Sequence, residues 1–333
     1  MTELSYLQAV VIGLLQGVTE LFPISSLGHS VLVPAWIGGS WQHLVTESTS
    51  TESENSPYLA FIVALHVATA LALLSFYWRD WVRIIAGLFH TLRTRRIETS
   101  TERLAWLLVI ASIPVGVTGI ALEHTFRTLF AKPLAASIFL TINGAILLGA
   151  ERLRRRAEQA PATAHALVGV TADSTATPGV TDTSITTDTS GTAPASGTPA
   201  PAGRRQLATL GFAEAGIIGV FQTFALLAGI SRSGITMAAG LLRGLSHEDA
   251  AKFSFLLATP VILAAGVYKV PSLTGPAGAH IHGQIIVGFL VAGAAAYVSI
   301  KFLTRYFTTR TLTPFAVYCL IGGAISIGWF STH

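Results

Sequence analysis

Gln16-Gly17-Val18-Thr19-Glu20-Leu21-Phe22-Pro23-Ile24-Ser25-Ser26-Leu27-Gly28-His29 decides how this chain is read, because it has a counterpart 206 residues further on. The counterpart runs from Ile218-Gly219-Val220-Phe221-Gln222 to Gly229-Ile230-Ser231-Arg232-Ser233-Gly234-Ile235-Thr236. The same offset carries Ile12 to Ile218, Gln16 to Gln222, Ser25 to Ser231 and Gly28 to Gly234. Both segments are polar breaks inside apolar sequence. Interrupted hydrophobic segments at corresponding places in two halves point to a central site between them.

The rest of the chain supplies the membrane. Charged residues make up 11% of the sequence, where a soluble domain averages about 25%. Mean hydropathy is +0.60. Apolar runs at 58–78, 104–122, 133–150, 252–270, 284–303 and 313–330 approach the roughly 20 residues that cross a bilayer. The expected fold is an all-α integral membrane protein with about six full transmembrane helices. Two re-entrant helical hairpins, 4–38 and 207–245, complete it. Residues 1–150 form a first repeat and 207–333 a second, inverted one. Between them, 151–206 is a cytoplasmic loop. Its 157–203 stretch of Thr, Ala, Pro, Ser and Gly is too poor in large apolar side chains to fold alone.

Charge sets the orientation. Residues 79–103 and 151–206 each carry six arginines, and 301–312 add Lys301, Arg305 and Arg310. These loops are read as cytoplasmic. Residues 41–57 carry Glu47, Glu52 and Glu54 without Lys or Arg, and 271–283 carry no charge. These face outward. The first broken segment then leaves and returns on the outer side, the second on the inner side. The pI near 9.4 reflects those loops, so lipids and no nucleic acid are the expected partners. No basic stretch precedes Arg79, so no cleavable signal peptide is expected. A single cysteine, Cys319, excludes an internal disulfide and a cysteine metal cluster.

The polar residues of the breaks carry the chemistry. Gln16 and Glu20 are four apart and share a helix face. Pro23 stops that helix, and Ser25-Ser26 offers hydroxyls suited to capping the next one, with His29 a turn later. A carboxylate at bilayer depth costs roughly 2.5–3.5 kcal/mol on insertion scales, so Glu20 needs a cation, water or partner. In the second copy a glycine permits a tight turn. Ser231, Ser233 and Thr236 then surround a helix start that suits an anion, and Arg232 adds a planar fork for phosphate oxygens. The register sets Ser26 against Arg232 and His29 against Ile235, so one copy brings acid, hydroxyls and imidazole, the other a cation and hydroxyls. That set suits phosphoryl chemistry: the cation and helix starts hold charge, while a hydroxyl or imidazole attacks or moves protons. Glu20 acts as base or holds a divalent metal, with Mg²⁺ the better fit to so few carboxylates.

At these residues the chain resembles the undecaprenyl-diphosphatase family, membrane enzymes also called bacitracin-resistance proteins. Both motifs match, as do Tyr77-Trp78-Arg79-Asp80-Trp81, Ser254-Phe255-Leu256-Leu257-Ala258-Thr259-Pro260 and Thr313-Pro314-Phe315-Ala316-Val317-Tyr318. The resemblance spans nearly everything outside 40–57 and 151–206. It implies hydrolysis of undecaprenyl diphosphate to the monophosphate, recycling the carrier for cell-wall synthesis and giving bacitracin resistance. It implies a divalent cation (Mg²⁺, or Ca²⁺), a multi-pass place in the bacterial plasma membrane and an active site facing outward. By matching position, Glu20, Ser26, His29 and Arg232 take catalytic roles, and Ser25, Ser231, Ser233, Thr236 and Gln16 contact phosphate. Gln16 stands where many members have Glu, and Ala228 where Pro is usual. The nucleophile stays open between Ser26, His29 and water.

The inverted breaks equally suit a transporter or flippase for phosphate or polyprenyl phosphate. A lipid phosphatase of the acid-phosphatase type needs a His about seven residues after a Ser-Arg pair, and none follows Ser231-Arg232 until His247. His66, inside a span, reads as hydrogen-bonded structure.

Overall fold

The structure is a computed structural model that describes residues 4–47, 57–122, 132–159, 206–274 and 281–332. Most of the expected 157–203 insertion, and part of the outer loop at 41–57, lie outside the described residues. Regular structure among the described residues is helical throughout.

The first broken segment is two helices, α1 (Tyr6–Thr19) and α2 (Ser26–Ile37). Ser5 and Gln8 begin α1 with reciprocal cap hydrogen bonds, which satisfy two otherwise orphaned N–H groups. Pro23 and the turn around it end the run. Ser25 then starts α2, its side chain accepting from the Gly28 N–H. A short α3 (Ser40–Glu47) follows in the outer loop. The second segment repeats the plan with α8 (Phe212–Thr223), one 3₁₀ turn (Phe224–Leu226) and α9 (Arg232–Leu242). Ser231 caps α9 by accepting from Gly234 N–H at 3.1 Å, as Ser25 does from Gly28 at 3.2 Å. The two caps are offset mates.

Five long helices meet the length and hydropathy of a membrane crossing: α6 (Ser100–Ala121), α7 (Pro133–Gln159), α10 (His247–Thr274, apolar over His247–Tyr268), α11 (His282–Tyr306) and α12 (Thr313–Thr332). The sixth expected span is α4 (Pro57–Phe76), and it differs from expectation at its C-terminal end. There α5 (Trp78–Thr94) turns away by 85°. The stretch read as an arginine-rich loop is therefore largely a helix, amphipathic enough to lie along the membrane surface. Thr99 and Glu102 cap α6 behind it.

Packing follows the repeat. α1 lies along α11 and its mate α8 lies along α6; α4 meets α10, and α7 meets α12. Close backbone approaches include one pair of offset-mate glycines. A Cβ on Gly13 would fall 2.7 Å from Gly288 O, and one on Gly219 2.5 Å from Ala111 O. Small residues let membrane helices touch backbone to backbone. Outward side chains such as Ile113, Val117 and Ile120 of α6, Leu290 of α11 and Ile325 of α12 are exposed. In water such a surface would be a large apolar patch; against acyl chains it is the natural coat.

The contacts also set the two broken segments at opposite ends of the molecule. Leu4, before α1, accepts from Gln284 at the start of α11, and Trp36, ending α2, stacks on Trp329 late in α12. Leu210, before α8, accepts from Arg103 at the start of α6. Glu151 of α7 accepts from the Leu312 N–H at 2.8 Å and pairs with His247 at 2.5 Å, and Lys252 pairs with Asp80. The three basic segments thus gather at one end, together with the start of the second broken segment. The first broken segment begins and ends at the other.

Candidate active site

The two turns meet in the middle of the molecule, and hydrogen bonds tie them together. Ser25 Oγ accepts from the Gly229 N–H at 3.1 Å as well as from its own cap. Asn143 of α7 spans both turns: its Nδ2 donates to Pro23 O and its Oδ1 accepts from Ser231 N–H, each at 3.0 Å. Gly229 sits at φ +112°, and a Cβ there would meet Leu140 N at 2.7 Å. Only glycine fits both that backbone and that crowding. Ser25 itself adopts φ +71°, a conformation costly for a residue with a Cβ and held here by its two N–H donors.

A cavity of about 300 Å³ opens at this junction. Its polar side is Glu20, Ser25, Ser26, His66, Gln222, Ser231 and Arg232, and its apolar wall includes Ile62, Val115, Leu226, Val261 and Ile262. Arg232 donates to Glu20 Oε1, so an acid from one copy and a cation from the other close the centre. Glu20 Oε2 accepts from Ser26 Oγ, and from Gln16 Nε2 at 3.0 Å. Side-chain exposure is 6% for Glu20 and 16% for Arg232. The pair is desolvated, yet the guanidinium keeps a face toward the cavity. Two charges withdrawn from water this far need each other: removing one leaves the other buried and unpaired.

Of the nine site residues expected from the sequence, Glu20, Ser25, Ser26, Ser231 and Arg232 line this cavity. Gln16 stands behind Glu20. Ser233 Oγ and Thr236 Oγ1 are turned inward, bonded to Ser231 and Phe22 O, and to Arg232 O and Ser254, respectively. They brace the start of α9 rather than face the cavity. His29 does not line the cavity. Its Nδ1–H donates to Ser25 O at 2.7 Å, and its Nε2 accepts from the Tyr318 hydroxyl at 2.8 Å, with the rings stacked. Both ring nitrogens are thus hydrogen-bonded within the protein. His247 is also remote, in the smaller inner-end cluster with Glu151 and Arg154.

Sequence reasoning missed three residues. His66 of α4 reaches the cavity with Nε2 3.5 Å from Glu20 Oε2. Gln222, the mate of Gln16, lines it with a buried Oε1 that has no hydrogen-bond partner among the described residues. Asn143 holds the turns. The offset of 206 was the available signal for Gln222; His66 and Asn143 come from helices outside the motifs.

The expected metal role of Glu20 fits this arrangement poorly. Among the described residues there is no group of three or more His, Cys, Asp or Glu able to hold an ion. Glu20 is the one carboxylate on the cavity, its oxygens are both engaged, and Arg232 balances its charge. A divalent cation gains little from such a set.

An acid, a hydroxyl and a guanidinium at two helix starts, beside an apolar wall, define a membrane-embedded site for an anionic headgroup on a lipid. The comparisons agree. Residues 9–325 match the family model described as "Bacitracin resistance protein BacA". "Undecaprenyl-diphosphatase 2" of Frankia alni is 65% identical over 98% of both chains. "Undecaprenyl-diphosphatase" of Mycolicibacterium paratuberculosis is 54% identical, covering 99% of this chain and 98% of its own. A further "Undecaprenyl-diphosphatase", from Granulibacter bethesdensis, is 37% identical over 98% of this chain and 97% of its own. The chain belongs to the BacA family of bacitracin-resistance proteins.

Proposed function

We propose that this protein dephosphorylates undecaprenyl diphosphate to undecaprenyl phosphate and phosphate, returning the lipid carrier to cell-wall synthesis and conferring bacitracin resistance. The carrying observation is Arg232 of one copy set against Glu20 and Ser26 of the other, in a chain 65% identical to a protein named for that activity. Its place is the bacterial plasma membrane, and the headgroup enters from the outer side, where the first broken segment begins and ends.

The terminal phosphate takes the Arg232 guanidinium and the two helix starts at Ser26 and Arg232, whose partial positive charge suits an anion. Arg232 then trades Glu20 for phosphate oxygens. Glu20 Oε2, already accepting from Ser26 Oγ, receives its proton as Ser26 attacks phosphorus. Gln222 Oε1 accepts from the attacking water of the second half-reaction. The polyprenyl chain lies along Ile62, Val115, Leu226 and Val261. A divalent cation carried by the diphosphate would neutralise phosphate charge, and Glu20 would stay with Ser26.

Phosphate release from undecaprenyl diphosphate in detergent tests this reading, with and without Mg²⁺, for wild type and R232A. Expected is cation-dependent release that R232A abolishes. Folded wild type that releases none, but moves lipid across sealed vesicles, would hand the site to a flippase instead.

A further inference from the structure

We propose that His66 is a catalytic residue of this site, the imidazole that carries the reaction's protons in place of the His29 expected from the motif. The inference deepens the hydrolase reading and rests on it, with Ser26 attacking.

Three observations carry it. First, His66 lines the cavity, whereas His29 does not. Its side chain keeps 21% exposure, more than Glu20 at 6%, so it reaches both the carboxylate and whatever fills the space. Second, its tautomer is set by its own helix. Nδ1 lies 2.8 Å from Ile62 O, and a carbonyl oxygen only accepts, so Nδ1 carries the hydrogen. The neutral ring therefore presents the Nε2 lone pair to the site. Third, that lone pair stands 3.5 Å from Glu20 Oε2, the oxygen that accepts from Ser26. Two acceptors face each other there, and a proton between them turns the contact into an attraction. Nothing comparable is left on His29, whose two nitrogens are occupied by Ser25 O and Tyr318.

The charged groups facing His66 are Glu20, after α1, and Arg232, opening α9. From α10 the cavity receives Val261, Ile262, Ala265 and Gly266, all apolar. A proton placed on Nε2 is thus held by the carboxylate once Arg232 has moved to phosphate.

The steps balance as follows. The Ser26 Oγ–H proton passes to Glu20 Oε2 and on to His66 Nε2, while an Oγ lone pair forms the bond to the terminal phosphorus. The bond between that phosphorus and the bridging oxygen breaks, its pair stays on the bridging oxygen, and His66 Nε2–H gives the proton to that oxygen. Undecaprenyl phosphate leaves. Water then attacks the phosphoserine phosphorus and loses a proton to His66 Nε2. The P–Oγ bond breaks with its pair on Oγ, and the proton returns through Glu20 to Ser26. One water is consumed, and the three side chains end as they began.

The test is phosphate release from undecaprenyl diphosphate with Mg²⁺, comparing wild type, H66A, H66Q and S26A, each checked for folding by its thermal transition. H66A should lose about 10²-fold or more in kcat, the range of a general acid–base group, with KM little changed. Added imidazole, small enough for the cavity, should restore part of that rate in H66A and none in S26A. H66Q covers the case of a misfolded H66A: glutamine can fill the position but cannot carry the proton, so its kcat should also fall with KM held. A kcat within about threefold of wild type in either folded variant would overturn the role, and so would folded H66A that imidazole leaves dead. Failure of the hydrolase reading is distinguishable, because then wild type itself would release no phosphate.

Discussion

The two broken segments share a frame and differ in cargo. In each, a helix ends, a serine at an offset of 206 caps the next helix by accepting an N–H three residues on, and a glycine mate packs on a facing backbone. On that shared frame one copy carries Glu20 and Ser26, and the other carries Arg232 where Ser26 stands. The caps match, and under the proposed function the chemistry lies in the positions where the two segments differ. A symmetric pair of acids would repel, and a symmetric pair of cations would leave no nucleophile. Glu20 and Arg232 pair across the two segments, and the proposed function has Arg232 exchange that partner for phosphate.

The largest effects should come from the asymmetric residues. R232A should lower kcat by about 10³-fold or more, the range seen when a phosphate-clamping arginine is removed. R232K should recover little, since an ammonium lacks the planar fork; steady-state phosphate release reads both. Next, E20Q should cost about 10²- to 10⁴-fold in kcat, as for a lost general base, and should weaken folding less than R232A does, because the neutral amide still accepts from Ser26 while leaving Arg232 open to solvent in the cavity. Third, N143A attacks the frame that both copies share. It strands Ser231 N–H in a buried turn and leaves Pro23 O to the weak Cys319 thiol, which should destabilise by about 1–3 kcal/mol, seen as a lower thermal midpoint in detergent with a smaller loss of rate. The smallest effects should be the paired caps. S25A and S231A should each cost about 1 kcal/mol, and near-equal losses would sharpen the comparison. A much larger loss at Ser25 would show that its link to Gly229 and its positive φ matter beyond the cap.

How much of this could be read beforehand follows from the range of each interaction. Caps, the Pro23 stop and the glycine turn are local, so the helix starts at 26 and 232 were legible residue by residue. Loop charge is additive, so the basic segments were legible, and they gather at one end around Glu151 and Lys252. Direction was not legible. In a bilayer a span is apolar all round, and its pattern does not reveal which face meets protein. His66 therefore looked like one polar residue in α4, and nothing marked Asn143 as the tie between turns. At His29, four residues after Ser25, the spacing sets the ring back over the Ser25 carbonyl, off the cavity lining. Thr236 likewise bonds back to the carbonyl four residues earlier, Arg232 O, while Ser233 reaches Phe22 O across the turn. The 85° bend after Phe76 escaped notice because arginines were counted as a loop when their spacing makes a surface helix.

The most direct test of a composite site in which Ser26 attacks is acid-quench capture of the phosphoenzyme from substrate labelled in the terminal phosphate. The label should appear on the peptide carrying Ser26, turn over on chase, and be absent in S26A and R232A. Phosphate release that proceeds at full rate with no labelled Ser26 under any quench would contradict it and leave attack to water.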